Sequence, residues 1–444
     1  MALRDLLHNL PEVTSPTEKK LSFNVKLKWT LIVLIAFFVM SSIALYGLAN
    51  NAMERFEYLA VIMGTSFGSI ISLGIGPIVM ASIILQLLVG SKILDIDTST
   101  QEGKKFFQGL QKLMVFFFII FEALIYVLMK GLEALPGYTW LVVLQLILGG
   151  LAILFMDELS TKWGFGSGVS LFIAAGVGWR LFTAAFQFLG PEGNFQASGK
   201  VFAFIVSLMN ADSQGAMLSL AAILATIILF LLVVWAQSLK IEIPLSYDRI
   251  RGYSMKWPLK FFYASVIPVI LTAALIANLQ LFGGLLQNWL GHPTFLGNIQ
   301  QGQAVSGFLY WVGSTNIVNA IITGSWQWKL LGQAIGHIIF FMFFAALFSV
   351  FWIKTSGMDA SNQAQNILKS GLQIPGFRKD ERILESVLKR YVLPLTIMGG
   401  MAIGLLAAIA DLLGTLVAGT ALLLGIMIIF QFYESIAKQH AMDM

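Results

Sequence analysis

Ten stretches of about twenty residues are apolar on every face, and nothing constrains this 444-residue chain more. A run of that length crosses a hydrocarbon core as a helix, because the helix satisfies every backbone polar group within the segment itself. The runs lie near 30–48, 70–90, 113–129, 139–156, 169–189, 217–239, 261–281, 333–353, 391–410 and 412–433, the last two separated by only a residue or two around Asp411. Composition agrees: 57% of the residues are hydrophobic and 11% charged, too apolar for a soluble enzyme with a single buried core. A membrane β-barrel is excluded too, since its strands alternate apolar and polar over about ten residues. The expected fold class is an all-α integral membrane protein with ten transmembrane helices.

Charge along the chain sets its orientation. Twenty-three Lys and Arg fall on the side of the amino terminus and five on the other, with Arg180 assigned to the latter. The excess of positive charge on one side predicts that both termini are cytoplasmic. The first apolar run follows a polar, basic arm and lacks a small-residue cleavage site, so it reads as a retained span rather than a signal peptide. The expected organisation is an arm at 1–29, a first half at 30–189 with spans one to five, and an external loop at 190–216. A second half at 217–435 holds spans six to ten, before a short tail at 436–444. Cytoplasmic connections at about 240–260 and 354–390 carry twelve basic residues, which reads either as a docking surface or as attraction to anionic headgroups.

Gly and Pro punctuate two spans. Ser72-Leu73-Gly74-Ile75-Gly76-Pro77 opens the second, after a weakly apolar run from Glu57. Helix breakers at membrane depth are tolerated only where the backbone is buried in protein or lines a cavity. Residues 57–68 therefore read as a short half-helix re-entering the membrane. The competing reading, an external loop with glycine turns, leaves Tyr58, Leu59, Val61, Ile62, Met63 and Phe67 in water. Gly164-Phe165-Gly166-Ser167-Gly168 opens the fifth span, but Val169 stands where a phosphate-binding loop needs lysine.

Chemistry has few candidates. The chain has no Cys, and His8, His292, His337 and His440 show no metal-ligand spacing, so no cofactor is expected. Intramembrane charge is confined to Glu122, Arg180 and Asp411. Glu122 reads either as a carboxyl satisfied between helices or as half of a breakable contact with the amides Asn278 and Gln280 of the seventh span. Pro77 to Leu87 and Pro268 to Leu281 echo each other weakly, in the second span of each half, as an inverted repeat would place them.

Taken together these segments resemble the SecY family of protein-translocation channels over nearly the whole chain. The resemblance rests on Lys26-Leu27-Lys28-Trp29, Leu73 to Leu88, Gly164 to Gly176, Glu242-Ile243-Pro244-Leu245, Ile267 to Leu281, Gly376-Phe377-Arg378 and Leu388-Lys389-Arg390-Tyr391. Gly74-Ile75-Gly76-Pro77 and Arg249-Ile250-Arg251-Gly252 look archaeal or eukaryotic rather than bacterial.

The resemblance implies two five-helix halves around an hourglass pore, closed by a ring of aliphatic side chains at Ile75, Val79, Val169, Ile173, Ile270 and Leu424. The half-helix at 57–68 would be its plug. A lateral gate would use Glu122 and Asn278, with Met80 where the family usually has Thr or Ser and Ser82 the nearby hydroxyl. Arg249, Arg251 and Arg378, with Lys379 and Arg382 behind them, would meet ribosomal RNA. Implied partners are SecE and Sec-beta subunits, the ribosome, signal sequences, nascent polypeptides and membrane lipid, at the cell (plasma) membrane.

Two other classes compete with a channel. A secondary transporter with inverted repeats would need a mid-membrane solute and ion site, which so few charges do not offer. An intramembrane protease would need a nucleophile–base pair, for which only Ser167 and His337 are conceivable.

Overall fold

The computed structural model describes residues 10–18, 21–48, 68–90, 93–96, 100–129, 131–188, 198–247, 254–264, 266–300, 303–369, 372–373 and 381–443. The first half contains α1 (Phe23–Ser42), α2 (Gly76–Gly90), α3 (Gln101–Leu128), α4 (Thr139–Trp163) and α5 (Gly168–Phe186). Next come α6 (Lys200–Met209), α7 (Ser213–Ser238), strands β1 (Lys240–Tyr247) and β2 (Ser254–Lys260), and α8 (Ile267–Leu290). An outer layer follows, made of β3 (Asn298–Gln300), β4 (Gln303–Ser306), α9 (Phe308–Val312) and α10 (Ile317–Ile322). The chain ends with α11 (Trp328–Ser356), α12 (Ala360–Lys369), β5 (Leu372–Gln373), α13 (Glu381–Leu412) and α14 (Gly419–Asp443).

Among the described residues nine helices are long and apolar enough to cross a membrane, and α2, at 15 residues, is shorter. Its shortness has a local cause. Residues 70–75 run as consecutive turns, bonded from Ser72 N–H to the Ser69 carbonyl (3.0 Å) and from Gly74 N–H to the Ile71 carbonyl (2.8 Å). Ile71, Ser72, Leu73 and Ile75 are all buried, so this irregular backbone is shielded by protein, as membrane depth requires. Gly149 of α4 permits the shielding, because a Cβ there would collide with the Ile70 carbonyl. Upstream, Leu45 and Ile70 exchange backbone bonds with Gly68 and Ile43, so residues 43–48, expected as the end of the first span, leave the helix and pair.

Other bounds differ from expectation for equally local reasons. α3 and α13 begin about ten residues early, as amphipathic extensions; Leu384, Leu388, Val392 and Leu395 of α13 bury against Ile243, Leu259, Ile353 and Ile367 in a second, smaller core. The segment 190–216 contains α6, which packs on α7. The last two spans are separated by residues 413–418 rather than one or two.

The described parts of the two basic connections form strands and helix. β1 and β2 form an antiparallel hairpin, and β5 pairs with β1 at Ser246↔Gln373 and Tyr247↔Leu372, so one sheet in the order β2-β1-β5 joins the two connections. On the opposite face, Gln287 of α8 clamps the β3–β4 hairpin through both backbone groups of Ile299 (3.0 and 2.7 Å). Trp289, Phe295 and Trp328 stay strongly exposed around that outer layer, as aromatic side chains do at headgroup level.

Candidate functional site

Helix packing brings the two halves together along two seams. α5 lies against α14, and α2 lies against both α8 and α11 as well as its neighbour α3. Five of the six aliphatic positions belong to the large apolar core cluster, and Val169 packs against it. Ile75 sits in the last turn before α2, and Val79, whose N–H bonds to the Ile75 carbonyl (3.0 Å), follows one helical turn later. Val169 and Ile173 are one turn apart on α5 and so share a face. Pro268 in the first turn of α8 starts the helix that presents Ile270, and Leu424 comes from α14. Ile75, Val79, Ile173, Ile270 and Leu424 are buried, and Val169 is partly buried against the same cluster. A constriction with this lining excludes water and ions, while side chains free of hydrogen bonds can part around a polymer without regard to its sequence.

The polar positions behave differently from one another. Met80 is half-buried against the core. Ser82 donates to the Ile78 carbonyl (2.8 Å) and accepts from Gln111 Nε2 of α3 (2.6 Å), a cross-helix partner that the sequence did not single out. Glu122 is fully buried, yet neither carboxyl oxygen has a hydrogen-bond partner among the described residues. Asn278 is 1% exposed; its amide donates to the Ala274 carbonyl of its own helix (2.8 Å), and its Oδ1 has no partner among the described residues. The expected contact between Glu122 and Asn278 is therefore not formed in this structure. A carbonyl four residues back on the same helix is always within reach of an asparagine, whereas a partner on another helix must be brought there.

His337 and Asp411, on spans whose sequences gave no hint of a pairing, form the best-satisfied buried cluster. His337 Nδ1 meets the Val312 carbonyl at 2.6 Å and Nε2 faces Asp411 Oδ2 at 3.3 Å. A carbonyl only accepts, so Nδ1 carries the hydrogen of that bond. Asp411 also accepts from the Thr420 N–H (2.5 Å) and hydroxyl, closing the turn between α13 and α14. Ser167 is not near His337 but beside Asp157, so the protease pair is not assembled.

The plug positions Tyr58, Leu59, Val61, Ile62, Met63 and Phe67 lie outside the described residues, as do Arg249, Arg251, Arg378 and Lys379. Arg382 is in the first turn of α13 and exposed. Among the described residues no cluster of His, Asp or Glu is arranged to hold a metal.

The fold defines a class: a multi-pass helical membrane protein with an apolar core where its two five-helix halves meet. The family model for SecY matches residues 69–433, and the chain belongs to the SecY family. It is 43% identical to the protein translocase subunit SecY of Methanothermobacter thermautotrophicus, over 98% of this chain and 95% of that one. The same subunit of Methanocaldococcus jannaschii is 39% identical over 99% and 96%. Among solved structures, one described as the structure of a protein conducting channel superposes with a TM-score of 0.85 at 37% identity, covering 100% of this chain and 98% of that one. The Sec61 channel of the canine ribosome–channel complex from the endoplasmic reticulum gives 0.81 at 36% identity, with the same coverage.

Proposed function

We propose that this chain is the central pore-forming subunit of a Sec protein-conducting channel, passing secretory polypeptides across the membrane and releasing signal sequences and transmembrane segments sideways into lipid. It is not an enzyme. The observation that carries this reading is the family match over residues 69–433, with which the burial of Ile75, Val79, Ile173, Ile270 and Leu424 in the apolar core is consistent. Gating follows from the seam. Parting α2 and α3 from α8 and α11 would open a path from the waist to lipid, with Glu122, Asn278, Met80 and Ser82 along its edges. The plug would be the segment 57–68.

Energy for transport comes from a partner, because the chain carries no nucleotide-binding motif. The sheet that joins the two basic connections supports ribosome docking through Arg249, Arg251, Arg378, Lys379 and Arg382, where RNA phosphates would meet guanidinium groups. SecE and Sec-beta subunits would complete the complex, in the cell membrane with both termini cytoplasmic. A secondary transporter is not favoured by the family the chain belongs to.

The test is a photo-crosslinking residue at Ile270, presented to a secretory chain stalled on a ribosome and compared with a chain lacking its signal sequence. Signal-dependent crosslinks are expected. Ribosome binding without any crosslink would remove Ile270 from the pore, and loss of both would remove the channel reading.

A further inference from the structure

We propose that Asp157 of α4 is a positioning residue for the constriction: its carboxylate caps α5 from outside that helix and fixes the height of Val169 and Ile173. The inference rests on the reading of those two residues as part of the pore ring.

The residue at the ordinary capping position of α5 is Ser167, and its hydroxyl makes no capping bond. Normally such a side chain accepts from an N–H in the first turn, satisfying one of the donors that a helix start leaves open. Here the acceptor comes from the preceding helix. Asp157 Oδ1 accepts the Val169 N–H at 2.9 Å and the Ser167 hydroxyl at 3.3 Å, and the Gly168 backbone bonds to the same carboxylate. The two backbones are nearly in contact, since a Cβ on Gly168 would stand 2.6 Å from the Asp157 Cα.

The rest of the turn is held equally tightly. Ser160 Oγ donates to the Gly166 carbonyl (2.8 Å), and the Phe165 N–H donates to Thr30 Oγ1 of α1 (3.2 Å). Ser160 and Thr30 hold the loop, but Asp157 alone bonds to α5 itself at Val169. Ile173 follows one turn later on the same face. Losing the carboxylate therefore frees the turn that carries one ring residue and supports the next, at a site where lateral movement opens a gap in the seal.

The experiment uses the complete channel complex reconstituted in planar bilayers, with resting ion conductance and thermal unfolding measured together. Asp157→Ala should raise resting conductance about fivefold, the population shift expected when one cap is lost. Asp157→Asn keeps an acceptor and should leak less. The decisive variant adds Ser167→Asp to Asp157→Ala, which returns a carboxylate to the first turn from the ordinary capping position and should restore the seal. Ile173→Gly serves as the control for the ring. If Ile173→Gly leaks and Asp157→Ala does not, Asp157 has no positioning role. A leak in Asp157→Ala that Ser167→Asp fails to repair overturns capping as its cause. Tight channels in both Ile173→Gly and Asp157→Ala would overturn the ring reading itself. Should Asp157→Ala not assemble, Asp157→Asn with and without Ser167→Asp gives the same comparison.

Discussion

The cluster at His337, Asp411 and Thr420 and the pair Glu122 and Asn278 are both buried inside membrane-spanning helices, yet they are satisfied to opposite degrees. In the first, each carboxylate oxygen of Asp411 has a donor, and His337 bridges Asp411 to the outer layer at Val312. In the second, both oxygens of Glu122 and Oδ1 of Asn278 are without partners among the described residues. A satisfied buried network fixes one arrangement of its helices, whereas unpartnered buried groups lose little when the helices around them move. The first cluster ties together α11, α13 and α14 within one half. Asn278 lies on α8 of the second half, which forms the seam with α2, and Glu122 lies on α3, the neighbour of α2 within the first half. Polar groups thus act as rivets within a half and remain available near the boundary between halves.

That contrast can be broken most directly at Asp411. Asp411→Ala takes the acceptor away from the Thr420 N–H and hydroxyl and from the Nε2 side of His337 and should lower unfolding stability by about 1–3 kcal/mol, the usual result of leaving buried polar groups unsatisfied. A calorimetric or thermal-shift loss below about 1 kcal/mol would show that the cluster is not a rivet. Glu122→Leu should have the opposite sign, raising stability by about 1–3 kcal/mol, because it removes a buried carboxyl without partners. A clear loss of stability there would reveal a partner for the carboxyl.

Smaller effects sharpen the comparison. Ser82→Ala strips Gln111 of its acceptor and should cost about 1 kcal/mol. Because Ser82 stands on the edge of the seam that parts, the signal hydrophobicity needed to open the channel should shift as well; an unaltered threshold in a translocation assay would remove Ser82 from the gate. Asn278→Leu exchanges one local bond and one unpartnered oxygen for an apolar side chain and should change stability by less than about 1 kcal/mol. It should nonetheless shift that threshold, and an unaltered threshold would return Asn278 to packing.

Much of the architecture was legible because a bilayer leaves few solutions. The break at Gly74 to Pro77 and the glycine turn before α5 were both readable from residues that cannot continue a helix. The aliphatic ring was readable only through resemblance, since nothing in the local sequence distinguishes Val79 or Leu424 from a lipid-facing neighbour. Gln111 and Asp157 were missed. Their partners sit on other helices, 29 residues away for Ser82 and 12 for Val169, and no periodicity reports such meetings. The local bond of Asn278 to the Ala274 carbonyl of its own helix was illegible for a related reason: nothing in the sequence says whether an amide turns back on its helix or across to a neighbour.

The sequence by itself determined that the chain crosses the membrane about ten times, where its helices break, and which side carries the positive charge. Hydrophobic length and helix-breaking residues act over one segment, and charge acts on each connection separately, so all three can be read in one dimension. Only the tertiary structure decided that the two basic connections form one sheet, that His337 reaches Asp411 and Val312, and that Asp157 caps a helix it does not belong to. Each of these joins groups distant along the chain. Such pairings are fixed by how helices pack against one another in lipid, where small shifts in crossing and height choose which polar groups meet.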